Sequence, residues 1–224
     1  MNRKTLFFLA LPLIATGCAP RYSSNASSSN YSSETKNLYT SDYVIDLVKV
    51  DSPTSDQGFI ESNNVFKNKE IQVTWGPTAS KFIFALENKS DKTQKIIWDE
   101  IVFIDSSGGS HKVIHEGVKL IDRNGPMQPT IVVKGSNIKD VIQPADYIQW
   151  HDGFYGRYAS SPGRWDENPI LPRSIYGGSS EKTGFVEKVN SQIGKKFKVL
   201  MTLAIDDKKK EYIFEFEVKS AKIK

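Results

Sequence analysis

Two alternations of apolar and polar residues run through the carboxyl-terminal stretch KFKVLMTLAIDDKKKEYIFEFEVK. Phe197, Val199, Met201, Leu203 and Ile205 share one parity, and Tyr212, Phe214, Phe216 and Val218 share another, opposed by Ile213, Glu215, Glu217 and Lys219. Successive side chains of a strand point to opposite faces, so this period of two predicts strands, the second with one buried and one wet face. DDKKK (206–210) predicts the short hairpin loop between them. KFIFALEN repeats the pattern with Phe82, Phe84 and Leu86 on one face. Shorter strands are predicted at 43–50, 70–75, 94–98, 101–105, 111–115, 130–133 and 146–150, with the turn-forming clusters GPTAS, NKSDKT, SSGGS and RNGP between them. Such spacing argues for an all-β, antiparallel β-sandwich with long loops and at most one or two short helices. One helix is predicted at FVEKVNSQIG (185–194), closed by Gly194, and QGFIESNNVF (57–66) reads as a further turn or helix.

Three segments depart from the alternation. Residues 19–40, APRYSSNASSSNYSSETKNLYT, hold almost no aliphatic residue, so they cannot bury enough apolar surface to offset their ordering entropy and predict a flexible tether. Its root-mean-square reach is on the order of 25 Å. Residues 115–136, with Pro126 and Pro129, read as a link between sheets. Residues 147–178, YIQWHDGFYGRYASSPGRWDENPILPRSIYGG, carry seven of the chain's large aromatics and three arginines among frequent Gly and Pro. Long loops on a compact domain are often functional. Tyr, Trp and Arg are also enriched at binding hot spots. Trp150, Tyr155, Arg157, Tyr158, Arg164 and Trp165 are therefore the candidate binding surface. The competing reading is that these aromatics pin the loop to the domain as a satellite core.

The amino end has a different logic. Arg3 and Lys4 precede a nine-residue apolar run, LFFLALPLI, followed by the small residues Ala15, Thr16 and Gly17 and then Cys18, the chain's one cysteine. A membrane-spanning helix needs roughly 20 apolar residues, and the order of charge, apolar run and small residues is that of a secretion signal. ATGC at 15–18 resembles the lipobox of the bacterial lipoprotein family, with Ala15 where leucine is more usual. The resemblance implies cleavage before Cys18, acylation of its thiol and new amine (palmitate-type chains), and a membrane as the first partner. Each buried acyl CH₂ contributes about 0.8 kcal/mol, so several chains make the attachment effectively permanent. In Gram-negative members an aspartate after the cysteine signals inner-membrane retention. Ala19 stands there, so the resemblance implies the outer membrane, facing the periplasm. The resulting division is a signal peptide at 1–17, a lipidated tether at 18–40 and a β-domain at 41–224.

Charge and chemistry narrow the function classes. The net charge is +4 and falls to +2 without the leader's Arg3 and Lys4, so no basic stripe points to nucleic acid. With Cys18 acylated no disulfide can form, and stability must come from the core. The three histidines are His111, His115 and His151. His111 and His115 on one strand face would lie about 13 Å apart, too far to share a metal. Asp99 and Glu100 are adjacent and point to opposite faces of a strand, so they read as solvated acids at a bend rather than a glycosidase pair. SSGGSH lacks the strand-to-helix setting of a nucleophile elbow and reads as a hairpin turn. Neither a phosphate loop nor G-x-G-x-x-G occurs. No catalytic residue, metal or cofactor is therefore expected.

FALENKSDKTQKIIWDEIVFIDSSGG resembles immunoglobulin-like domains of exported bacterial lipoproteins in its strand, Asn-Lys-Ser turn and strand ending in Asp and Gly. That resemblance implies an immunoglobulin-like form of the sandwich and no activity. The expectation is a non-enzymatic, lipid-anchored envelope module that binds a protein or a glycan. An accessory subunit of an envelope or secretion assembly is the second reading, and a hydrolase of envelope polymers the third.

Overall fold

The computed structural model describes residues 35–53, 57–62 and 64–224. The expected signal at 1–17, the lipobox-like ATGC with Cys18 and the expected tether up to residue 34 lie outside the described residues. Strands β1 (Asn37–Asp51), β2 (Phe59–Glu61), β3 (Val65–Lys67), β4 (Ile71–Pro77), β5 (Phe82–Asn88), β6 (Gln94–Ile96), β7 (Val102–Ile104), β8 (Ser110–Ile114) and β9 (Thr130–Val132) come first. They are followed by β10 (Asn137–Pro144), β11 (Ile148–His151), β12 (Phe154–Tyr155), β13 (Ser160–Ser161), β14 (Arg164–Glu167) and β15 (Ser174–Gly177). Helix α1 (Ser179–Asn190) then leads to β16 (Lys196–Ile205) and β17 (Lys208–Ile223). The fold is all-β and antiparallel with one α-helix among the described residues, as the period-two pattern predicts.

Thirteen strands form one sheet in the order β15-β1-β17-β16-β7-β8-β10-β5-β4-β3-β2, with β6 beside β16 and β9 on the outer side of β6. The pairing is thus continuous rather than divided between two sheets. Continuity runs through β10, which changes partner along its length: Asn137–Ile142 pair with β5, and Gln143–Pro144 pair with β8. The sheet curls. Trp75 on β4 lies 4.9 Å from Phe214 and 5.2 Å from Phe216 on β17, and Phe82 on β5 lies 4.8 Å from Phe216. Strands far apart in the hydrogen-bonded order can meet in this way only if the sheet closes over its own apolar face. That face is the core. Tyr212, Phe214, Phe216 and Val218 are fully buried, as are Ile71, Val73, Leu86, Val199, Met201 and Leu203. Burying each such side chain contributes about 1.5–3 kcal/mol.

Two asparagines hold the places where the strand ladder cannot. Asn64, in the left-handed region at φ 61°, accepts the Leu47 N–H through Oδ1 and donates Nδ2 to the Ile45 carbonyl. Its amide stands in for a strand residue where the β2–β3 end of the sheet meets β1, beside an irregularity in the β1–β17 register. Asn88 is fully buried; it donates Nδ2 to the carbonyls of Lys92 and Val132 and accepts the Ser90 N–H. The Asn-Lys-Ser turn is therefore a hub joining β5 to the tail of β9.

Several elements differ from the sequence reading. β1 begins at Asn37, four residues inside the stretch assigned to the tether, because Asn37–Thr40 pair with Gly177–Ser174 of β15. Where 57–66 reads as a turn or helix, Phe59–Glu61 and Val65–Lys67 pair as the antiparallel strands β2 and β3. α1 starts six residues earlier than predicted, where Glu181 accepts the Gly178 N–H and caps the first turn, and it ends at Asn190 with Gly194 at φ 84° beyond it. Phe185 and Val189, one turn apart, are its buried residues. In the last hairpin, Asp206 and Asp207 alone form the turn, at φ 47° and 58°, and the lysines already belong to β17. Asp99 and Glu100 lie in a short 3-10 turn, Trp98–Glu100, at the expected bend between strands. The link 115–136 contains a second 3-10 turn, Leu120–Asp122, and the short β9.

Candidate binding surface

The stretch 147–178 is not structureless. It contains β11 to β15, and its first part is a hairpin arm whose strands pair only with each other: β11 with β14, and β12 with β13. The alternation is invisible in sequence because Gly and Pro interrupt it every few residues. At the foot, the 3-10 turn Ala145–Tyr147 leads into Ile148, which is buried with Ala145 and Ile114 in a small cluster apart from the main core. Trp165 packs half-buried against this cluster, and the Arg123 guanidinium lies 4.8 Å from its ring.

Trp150 and Trp165 are directly opposed in the β11–β14 register and meet edge to face at 5.3 Å. Trp150 is 48% exposed, yet its ring is held: Nε1 donates to Asp152 at 2.8 Å, and the six-membered ring lies on Gly163. A Cβ at position 163 would sit 2.3 Å from Trp150 Cζ2, so only glycine fits beneath the ring. Gly153 has the same character, since a Cβ there would stand 2.8 Å from the Gly163 nitrogen across the hairpin. The opposite face of β11–β14 is polar. Arg164 makes a two-pronged bond to Asp166 at 2.8 and 3.2 Å, and His151 Nε2 lies 3.5 Å from the same carboxylate. The Arg164 bond lowers the Asp166 carboxyl, and Asp166 raises the guanidinium in return.

Beyond Gly153 the arm is exposed throughout. Phe154 and Tyr155 pair with Ser161 and Ser160, the Gly156 N–H closes the tip onto the Ala159 carbonyl, and Tyr158 is 92% exposed. The Arg157 guanidinium stands 5.9 Å from the Tyr158 ring. The six sequence-predicted residues thus fall into two groups on one arm. Trp150, Arg164 and Trp165 lie at its waist, and Tyr155, Arg157 and Tyr158 lie at its tip. Trp165 pins the arm to the domain, as the packing reading expects, while the tip aromatics stand in solvent. Arg173 and Tyr176, in the same aromatic stretch, are carried away by β15 and the turn before it, where Tyr176 pairs with Leu38.

Two histidine arrangements escaped sequence reasoning because their partners are distant in the chain. His111 Nδ1 is 2.7 Å from Asp146 and Nε2 is 3.1 Å from Asp105. His115 stacks on Trp98 at 4.0 Å and lies 3.3 Å from Asp140, a buried carboxylate that also accepts the N–H groups of Glu116 and Val141. With both nitrogens of His111 taken, neither is free to accept a proton from a substrate. A groove of about 750 Å³ lies between α1 and β15, with Leu38, Pro172, Ile175 and Phe185 on its walls. Among the described residues no group of three His, Cys, Asp or Glu side chains is placed to hold a metal ion, and no helix is long and apolar enough to cross a membrane. In comparisons with known proteins, no family matches the chain, and neither a curated protein nor a solved structure is significantly similar to it.

Proposed function

We propose that this chain is a lipid-anchored protein of the bacterial cell envelope, held to the outer membrane where the cell is Gram-negative, and that it acts as a non-enzymatic binding module for a protein or glycan. Cys18 carries the lipid, and residues 19–36 set the reach. The hairpin arm is the recognition element. The observation that carries this reading is the arm's construction: Trp165 and Ile148 fix its foot, Gly163 and Asp152 fix the Trp150 ring, and three further aromatics stand in solvent at the tip. Rings held in place before binding lose little conformational freedom when a ligand covers them. Their faces stack on sugars or peptide side chains, while Arg157 supplies a cation for a carboxylate.

The test is retention of the full-length protein, in detergent, on purified cell-wall sacculi and on an envelope extract, comparing wild type with Trp150→Ala and with the Tyr155→Ser/Tyr158→Ser double variant. Retention on either that falls at least tenfold in the variants supports the arm; equal retention of all three removes it. Intact mass separates the anchor from the arm, since Cys18→Ser should lose the acyl mass and leave arm-dependent retention unchanged.

A second reading, an accessory subunit of an envelope assembly, is favoured by one feature. β12 and β13 pair with each other alone, so each presents an outer backbone edge on which a partner strand can add. Co-purification of one stoichiometric envelope protein, lost in the tip variant, would select it over glycan binding.

A further inference from the structure

His111 joins the body of the sheet to the foot of the arm, and it does so with both ring nitrogens. Ionised carboxylates only accept hydrogen bonds. Contacts of 2.7 Å from Nδ1 to Asp146 and 3.1 Å from Nε2 to Asp105 therefore need an N–H on each nitrogen, which only the imidazolium has.

The two carboxylates are held unequally. Asp105 Oδ1 accepts the Ser107 hydroxyl and the N–H groups of Ser107 and Gly109, so it is fixed within the β7–β8 turn whatever His111 does. The Asp146 side chain is 60% exposed and sits in the turn Ala145–Tyr147, immediately before β11. When the ring loses a proton, one nitrogen must face a carboxylate with a lone pair. The anchored Asp105 can keep its bond, and Asp146 is the group free to leave.

We propose that His111 is a pH-operated latch: as imidazolium it ties the foot of the arm to the β7–β8 turn, and as neutral imidazole it releases Asp146 and loosens the arm. The groups facing the ring are Asp105 from the turn after β7, Asp146 and Tyr147 from the turn before β11, with the Tyr147 ring edge-on at 5.2 Å, and the uncharged Phe103 ring from β7. Lys112, next along β8, is turned toward Asp99 and the Gly125 carbonyl.

Burial alone would lower the imidazole, but the bonds and charges of Asp146 and Asp105 outweigh it and raise it above its ordinary value of 6.5. A group raised in the folded state contributes stability that is fully present below its unfolded value and is lost as pH rises through the folded one. The latch is therefore closed in acid and opens on the alkaline side of 6.5. It concerns the arm's mobility and stands whether or not the tip binds a ligand; where the tip does bind one, capture inherits the same pH dependence.

Hydrogen–deuterium exchange of the full-length protein between about pH 5.5 and 9, corrected for intrinsic exchange rates, reads the latch directly. Peptides covering 145–151 should lose protection by about tenfold for each pKa unit by which Asp146 raises the imidazole, while β16–β17 peptides stay constant. His111→Gln should abolish the step, and His151→Gln should retain it. Asp146→Asn, at an exposed position, should also abolish it and serves where the histidine variant fails to fold. A corrected rate that is flat with pH in wild type, or a step that survives in both His111→Gln and Asp146→Asn, overturns the proposal.

Discussion

The core and the arm are built from the same aromatic residue types and use them in opposite ways. In the core, Trp75 touches Phe84, Phe214 and Phe216 with ring centroids 4.9–5.5 Å apart, and each of these rings is buried from all sides. In the arm, Trp150 meets Trp165 at 5.3 Å with nearly half its surface in water, and Tyr155 and Tyr158 pack on no cluster of buried residues. A Phe or Tyr that covers nothing adds little to folding, since burial is what stabilises it. What the arm spends on order goes instead into holding rings still, through Gly163 beneath Trp150 and Asp152 at its indole nitrogen. The difference separates residues that hold the fold from residues that present a surface.

Substitutions along this contrast should grade accordingly. Phe216→Ala, which removes a fully buried ring in contact with Trp75 and Phe82, should cost about 3–5 kcal/mol in chemical denaturation. A cost below about 1 kcal/mol would break the comparison at its core end. Asn64→Gly keeps the left-handed backbone and deletes the amide that bridges Leu47 and Ile45, so it should cost about 1–3 kcal/mol through two backbone groups left without partners. Gly163→Ala should cost about 1 kcal/mol or less, because the Trp150 ring can swing into solvent, but should shift the tryptophan emission as that ring is displaced. Tyr158→Ser should leave stability within about 0.5 kcal/mol while weakening ligand retention. A Tyr158→Ser variant that unfolds as readily as Phe216→Ala would make the arm a second core.

The sequence was most readable where one face of a strand is wet. β17 follows its alternation residue by residue from Tyr212 to Val218, whereas in β16 Thr202 and Ala204 of the opposite parity are buried as well. The arm was readable in composition and unreadable in form. Its aromatics and arginines stood out, but Gly153, Gly156, Pro162 and Gly163 break the period that would have announced strands. β1 was read six residues short at its start, and four of these, Asn37–Thr40, look like tether; only their pairing with β15 makes them strand. The long-range contacts of Asn64, Asn88 and His111 gave no local signal, although Asn88 opens a turn that the sequence does announce. Each acts on groups that the fold brings close, and Asp146 is 35 residues from the ring it holds.

The register of β1 has a mechanical consequence. The chain leaves the described fold from the first residue of a 15-residue strand that is paired on one side with β15 and on the other, from Ser41 to Asp51, with β17. Hydrogen bonds of an antiparallel pair lie across the strands. A tug delivered along the axis of β1 must therefore shear many of them at once, whereas a sideways pull would peel them singly. Load arriving lengthwise through the residues before Asn37 meets the ladder in its strongest direction.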